Sequence, residues 1–212
     1  SRGLGDVYKR QDLHTHSISS GHGSEDTITD MIRCASESGL SLFGISDHGP
    51  ATSSSAKPSY FQSLKLADRD RFGIRVLYGA ELNIINTAGD VDLDDDTLST
   101  LDYAIISIHP PIFKPYHDKD LSSAYIRAMD HPKVRFLGHI DDARFPVDFE
   151  YLLEIAKEKH VYPEINNGSL MPDAYRINGQ ENCRRILSIC KKLDLPVLLS
   201  SDCLLYTSDA AD

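Results

Sequence analysis

Two hydrophobic rhythms alternate along this chain. Short, nearly continuous apolar runs occur at "SLFGISDH" (41–48), "IRVLYGAELNI" (74–84), "YAIISIH" (103–109), "VRFLGHI" (134–140), "VYPEIN" (161–166) and "PVLLSSD" (196–202). Runs so rich in Val, Ile and Leu fit parallel strands buried on both faces. Asp12 to His16 reads as a first strand of the same kind. Between the runs lie longer stretches with helical periodicity. "EDTITDMIRCASESGL" (25–40) predicts a helix with Asp26 as N-cap, Ile28, Met31, Ile32 and Ala35 on one face, and Gly39 at its stop. "YFQSLKLADRD" (60–70), "DLSSAYIRAMD" (120–130), "FEYLLEIAKEKH" (149–160) and "ENCRRILSICKKL" (181–193) predict further helices, with "ATSSSAKPS" (51–59) a Ser-rich loop. "INTAGDVDL" (85–93) predicts a small hairpin turning at Ala88-Gly89-Asp90. Strands alternating with helices predict an α/β fold with a parallel sheet. Seven repeats with short crossovers fit a (β/α)7 barrel better than an open sheet.

The residues that close the apolar runs carry the chemistry. They are His14 and His16, His48, Glu81, His109, His139, Glu164 with Asn166, and Asp202. In a barrel all parallel strands present their C-terminal ends at one face, so these groups are expected to converge on one mouth. His14 and His16, two apart, project to the same side of an extended chain. His22, in the glycine-flanked "SGHGS", can fold back over that mouth. Imidazoles mixed with carboxylates suit zinc, iron or manganese, and the set is too large for one tetrahedral ion, which implies two or three metals. One histidine at a strand end is more often an ordinary hydrogen-bonded side chain. Here six of the nine histidines fall at or beside strand ends, which that ordinary reading does not explain. His117 lies in a loop, His131 precedes a proline and His160 ends a helix, so these three read as structural or solvated. Glu164 and Asn166 either orient ligands or pair with backbone.

Composition narrows the function. The 212 residues suffice for one sizeable core and predict a single domain. The apolar stretches, about five residues long, fall far short of the ~20 needed to span a membrane, and no basic start leads into an apolar stretch as a signal peptide would. A soluble protein is expected. Cys34, Cys183, Cys190 and Cys203 show no CxxC spacing, which fits a reducing, cytoplasmic setting. A net charge of −10 argues against non-specific nucleic-acid binding and leaves room for a small anionic substrate held through metal.

The two ends read differently from the rest. Asp6 to Gln11 can be encoded by GAT GTG TAT AAG AGA CAG, whose reverse complement, read one base in, encodes Cys203 to Ser208. One inverted DNA element thus accounts for both ends, which resemble translated transposase adapters from sequencing libraries. Residues 1–11 and 203–212 are therefore expected to lie outside the fold, with residues 12–202 the single domain and the gene's own frame continuing beyond Asp202. The charge balance of −10 is unchanged without them.

"DLHTHS", "ISDHGP", "GAELNI", "SIHPP", "GHID" and "SSD" resemble the successive motifs of the PHP (polymerase and histidinol phosphatase) family across nearly all of residues 12–202. "EINN" and "HPPIFKP" resemble its small stand-alone bacterial phosphatases, the YcdX type. The resemblance implies a distorted (β/α)7 barrel, truncated at its C-terminus here, with three divalent metals at its mouth: zinc, with manganese or iron as alternatives. It implies that His14 and His16 bind one metal with Glu81 and Asp202. Glu81 would bridge to a second held by His109 and His139, and His22 and His48 would hold the third. The family's last motif is Asp-x-His, and Leu204 occupies the final position in the adapter-derived end. The implied activity is hydrolysis of small phosphate monoesters. Asp12 is then expected to fix a ligand histidine, and Asp47 to do likewise or assist proton transfer. Arg144 is a candidate phosphate clamp, or else a solvated loop arginine. A nuclease acting on nucleic-acid ends and a metal-binding domain without turnover are the alternatives.

Overall fold

The computed structural model describes residues 11–21, 23–110, 112–113 and 119–202. The expectations for His22, His117, Leu204 and residues 1–10 and 203–212 lie outside the described residues, whereas Gln11, expected to lie outside the fold, pairs with Leu42 in the first strand. Eight strands form one sheet: β1 (Gln11–Asp12), β2 (Leu42–Ile45), β3 (Asp70–Arg71), β4 (Ile74–Asn83), β5 (Tyr103–Ser107), β6 (Val134–Leu137), β7 (Tyr162–Asn166) and β8 (Leu198–Ser200). Seven of them run in the order β1-β2-β4-β5-β6-β7-β8, every neighbour parallel, while β3 pairs antiparallel with β4. The two ends of that order meet. Gln11 Nε2 donates to the Leu199 carbonyl at 3.1 Å, Ser201 N to Asp12 Oδ1 at 3.3 Å and Asp202 N to the His14 carbonyl at 3.0 Å. The sheet is therefore nearly closed into a seven-stranded barrel.

The helices are α1 (Ile28–Glu37), α2 (Pro58–Ser63), α3 (Asp95–Ser99), α4 (Ser122–Ala128), α5 (Phe149–Lys159), α6 (Asn167–Leu170) and α7 (Gly179–Leu193). Their apolar faces bury Met31, Ile32, Leu152, Leu153, Ala156 and Ile186 in the main core around the barrel. A smaller cluster of Leu13, Tyr103, Ile105 and Leu198 forms a separate core. Tyr103 fits because two facing strands carry glycine. A Cβ on Gly44 would lie 2.3 Å from the Tyr103 hydroxyl, and one on Gly79 would lie 2.8 Å from its ring. The hydroxyl donates to the Leu13 carbonyl at 2.5 Å, so the only polar atom of that ring is satisfied.

Local signals shifted several boundaries. Thr27, not Asp26, caps α1 by accepting from Asp30 N. The helix expected over 60–70 begins earlier, with Pro58 in its first turn, and gives way after Ser63 to a 3-10 turn at Leu64–Leu66. The Arg69 guanidinium then donates to the carbonyls of Leu64, Lys65 and Ala67, ending helix and freeing Asp70–Arg71 to pair as β3. The first strand is shorter than expected, a ladder at Gln11–Asp12 followed by a single bridge at Thr15, whose carbonyl accepts from Ser46 N at 3.0 Å. The expected hairpin is a turn with an isolated antiparallel bridge between Ile84 and Val91, with Gly89 at φ +83°. Among the described residues no helix is long and apolar enough to cross a membrane, and no disulfide joins the cysteines.

Candidate metal centre

The strand ends converge on Glu81, which lies two residues before the end of β4 with no exposed surface. Its two oxygens face different partners. Oε1 lies 2.9 Å from His139 Nε2 and 3.3 Å from His109 Nε2. Oε2 lies 2.8 Å from His48 Nδ1, 3.3 Å from His14 Nε2 and 3.5 Å from His16 Nε2. Asp202 Oδ1 joins the second group, 3.0 Å from His16 Nε2 and 3.4 Å from His14 Nε2. The five imidazoles form a continuous collar: His16 stacks on His48 at 4.4 Å, and His48 meets His109, and His109 meets His139, edge to face at 4.9 and 5.1 Å. His139 and Asp202 turn inward with φ of +29° and +54°, a backbone state that costs roughly 1–3 kcal/mol and persists where surrounding structure enforces it.

A second layer of side chains fixes four of these rings through their other nitrogen or their backbone. Glu164 Oε1 takes His14 Nδ1 at 2.6 Å, and its Oε2 accepts from His139 N at 2.7 Å. Ser20 Oγ meets His16 Nδ1 at 2.9 Å, and Asn83 Oδ1 meets His109 Nδ1 at 2.7 Å. Asn83 is itself fixed: its Nδ2 donates to Asp92 and Thr52, which leaves Oδ1 as acceptor for the ring. An ionised carboxylate only accepts, so His14 Nδ1 carries a proton and donates to Glu164. In the neutral ring the Nε2 lone pair then points at two further acceptors, Glu81 Oε2 and Asp202 Oδ1. His14 Nε2 and Glu81 Oε2 are both buried without a hydrogen-bond partner among the described residues. Three acceptors facing one another in a buried cluster require a positive charge between them, either a second proton on His14 or a bound cation, so the donor set fits a cation.

The electrostatics agree. Burial opposes charge on His14, yet the carboxylates of Glu164, Glu81 and Asp202 outweigh it and hold its pKa well above the ordinary value. Burial likewise opposes ionisation of Glu81, and His48, His14 and His109 outweigh it, holding that carboxyl well below its usual range. Burial pushes His16 and His109 down, toward the neutral form that a metal ligand needs. Two triads, His14–His16–Glu81 and His48–Glu81–His109, place their ligand atoms within 4.8 Å of one another and share Glu81.

A family model described as "PHP domain" matches residues 12–168. The chain belongs to the PHP domain family. A probable phosphatase of Clostridium acetobutylicum is 37% identical over 191 residues, covering 90% of this chain and 77% of that protein. One from Acetivibrio thermocellus is 33% identical over 191 residues, covering 90% and 78%. Among solved structures, the histidinol phosphate phosphatase of Lactococcus lactis, complexed with zinc, L-histidinol and phosphate, superposes with a TM-score of 0.65. At 19% identity over 95% of this chain and 89% of that one, it shows the fold.

Within this PHP barrel the remaining expected residues take distinct places. Asp12 does not reach a ring: it accepts from His14 N and from Ser201 N and Oγ, closing β1 against the end of β8, and burial raises its pKa to about 6. The His14 ring is held instead by Glu164. Asp47 accepts from Ser17 N at 2.6 Å, Ser17 Oγ and Ser20 Oγ at 2.7 Å each, and the Tyr60 hydroxyl. It thereby meets His16 through Ser20. Asn166 donates to Asp202 Oδ2 at 3.0 Å. Arg144 forms a bidentate pair with Asp142 and does not line the cavity over the cluster. Arg176 does. Its Nη2 donates to Asp202 Oδ2 at 2.6 Å and its Nη1 to Asn166 and Ser169, and it is 6% exposed. It lies in an irregular segment with no apolar run to announce it. The one available signal was its place ten residues beyond "EIN", in the stretch that must bridge β7 to α7.

Proposed function

We propose that this PHP chain is a metal-dependent phosphoesterase that removes phosphate from a small monoester with three divalent cations, zinc foremost and manganese or iron as alternatives. One observation carries the reading: five imidazoles converge on the two oxygens of one fully buried carboxylate, three of them with Nδ1 already held by other groups. His14 and His16 with Asp202 would hold one cation, His109 and His139 a second, and His48 with His22 a third, with Glu81 shared. Bound divalent cations supply the positive charge that a phosphoryl group needs and a nucleophilic water at neutral pH. The chain's own residues do the rest. Glu164, Ser20 and Asn83 orient the rings, which keeps the lone pairs aimed inward. Arg176, paired to Asp202 yet lining the cavity, presents a buried guanidinium to an incoming phosphoryl oxygen. The relatives named probable phosphatases, and the zinc- and phosphate-bound neighbour, support the same reading.

The test is phosphate release from p-nitrophenyl phosphate by protein loaded in turn with zinc, manganese and iron, with metal content measured on the same samples. Release that scales with bound metal is expected. Full metal loading without turnover of any monoester would favour a binding domain, and faster cleavage of a short oligonucleotide than of a mononucleotide would favour a nuclease.

A further inference from the structure

A cavity of about 740 Å³ opens directly over the cluster, with His48, His109, Asp202 and Arg176 among the residues that line it. Its volume falls in the range that encloses drug-sized organic ligands, roughly 300–1,000 Å³, so a phosphoryl group seated on the cluster leaves most of the space to the alcohol half of an ester. The rest of the lining decides what that half can be. Pro110, Ile112, Met171, Ala174 and Tyr175 make up an apolar wall, with Asp173, Thr52 and Ser53 as the polar side chains beside it. Among the described residues of the lining, Arg176 is the only cation and it is already paired to Asp202, so a second phosphate or a polyanionic chain would meet no counter-charge.

The wall is also out of place as ordinary surface. Of the eleven large hydrophobic side chains exposed among the described residues, four (Leu170, Met171, Tyr175 and Ile177) fall within the eight residues Leu170–Ile177, the segment that carries Arg176, and two of them, Met171 and Tyr175, line the cavity. Scattered exposed hydrophobics are normal, whereas a concentration beside a polar site marks a binding surface. This segment is fixed rather than loose. Arg176 ties it to Asp202, Asn166 and Ser169, and the Tyr175 ring lies 5.1 Å from the guanidinium carbons of both Arg144 and Arg176. A wall anchored to the metal centre by its own arginine meets a ligand with little further ordering cost.

We propose that the substrate's alcohol half is a bulky apolar or aromatic group without further negative charge, seated against Ile112, Met171 and Tyr175. This rests on the phosphoesterase reading above. The test is kcat/KM for the metal-loaded protein on ethyl, butyl, hexyl and benzyl phosphates, with glycerol phosphate as the polar comparison. Leaving-group basicity stays nearly constant along the alkyl series, so differences report the wall. Each buried methylene is expected to raise kcat/KM by up to about fourfold, and Met171→Ser and Tyr175→Ala are expected to flatten that slope. Both positions are exposed, so folding of the variants is not at issue. A flat series, or a preference for glycerol phosphate over hexyl phosphate, overturns the proposal and leaves the phosphoesterase standing. No turnover of any ester overturns the phosphoesterase, and this proposal with it.

Discussion

A carboxylate with no exposed surface survives as an anion only where positive charge or donors surround it. Glu81 has five imidazoles within 3.5 Å of its two oxygens, and its Oε2 is left without a hydrogen-bond partner among the described residues. A ligand shared between cations costs more to lose than a terminal one. Glu81→Ala is therefore expected to retain less metal than His109→Ala or His139→Ala, measured by elemental analysis after identical loading, and equal retention would contradict the sharing. A second residue-scale prediction concerns thiols. Burial, with Asp141 and Glu164 nearby, pushes the Cys183 thiol up to about 12, from a starting value of 9.0. The folded state keeps a proton that the unfolded chain gives up near 9, so this group's contribution to stability is complete below about pH 9 and is lost as pH rises toward 12. The urea midpoint should fall between pH 8 and 10.5, and Cys183→Ala should fall less steeply over that interval. A parallel decline in both proteins would show that Cys183 is not the cause. At this scale the sequence made the histidines and carboxylates at strand ends legible, because their chemical type is unusual for the end of an apolar run. It could not make Arg176 legible, since a loop arginine acquires meaning only from the fold that brings it back to Asp202.

The elements were legible in kind and less so in extent. Near-continuous apolar runs specify buried parallel strands whatever their exact ends, and all seven runs became barrel strands. Helix ends depend on single side chains whose competition a periodic pattern does not register. Thr27 displaced Asp26 as the cap of α1, and Arg69 drew three carbonyls out of the helix expected over 60–70. The short pieces β3, α3 and α6 carry too few residues to show a period at all. A sharper dependence lies inside the barrel, where β2 and β4 present Gly44 and Gly79 to the ring of Tyr103 on β5. Gly44→Ala would set a methyl 2.3 Å from the Tyr103 hydroxyl and 2.8 Å from Leu13 Cα. Overpacking of this kind costs about 1–3 kcal/mol, and the urea midpoint should fall accordingly. Tyr103→Phe alone should cost about 1 kcal/mol for the bond to Leu13. Added to Gly44→Ala it should recover part of the loss, because the clashing atom is gone. Strict additivity of the two changes would mean that the contact is not the source of the strain.

At the scale of the whole molecule, the centre draws on both ends of the described chain. His14 follows β1 and Asp202 follows β8, the two strands at which the sheet nearly closes, and the hydrogen bonds across that gap among the described residues are few: Asp202 N to the His14 carbonyl, Asp202 Oδ1 with His16 Nε2, Ser201 to Asp12, and Gln11 to Leu199. A cation held by His14, His16 and Asp202 would bind the first and last strands together. It would also relieve the confrontation of Glu81, Glu164 and Asp202 around His14, which without metal is eased by a proton on that ring. Metal should therefore act as a folding ligand as well as a catalyst. For one site that binds only the folded state, 100-fold excess over Kd stabilises by about 2.7 kcal/mol. In a domain of 150–250 residues each kcal/mol moves Tm by about 2–4 °C. Saturating zinc is thus expected to raise Tm by about 5–10 °C per tight site, followed by circular dichroism, and a chelator should reverse the gain. Asp202→Asn should keep a smaller part of that shift than His48→Ala, because it removes the charge that joins the two ends of the barrel. An unchanged Tm with metal bound would mean that the barrel closes equally well without the cation, and that the gap between β1 and β8 is held by the protein's own hydrogen bonds alone.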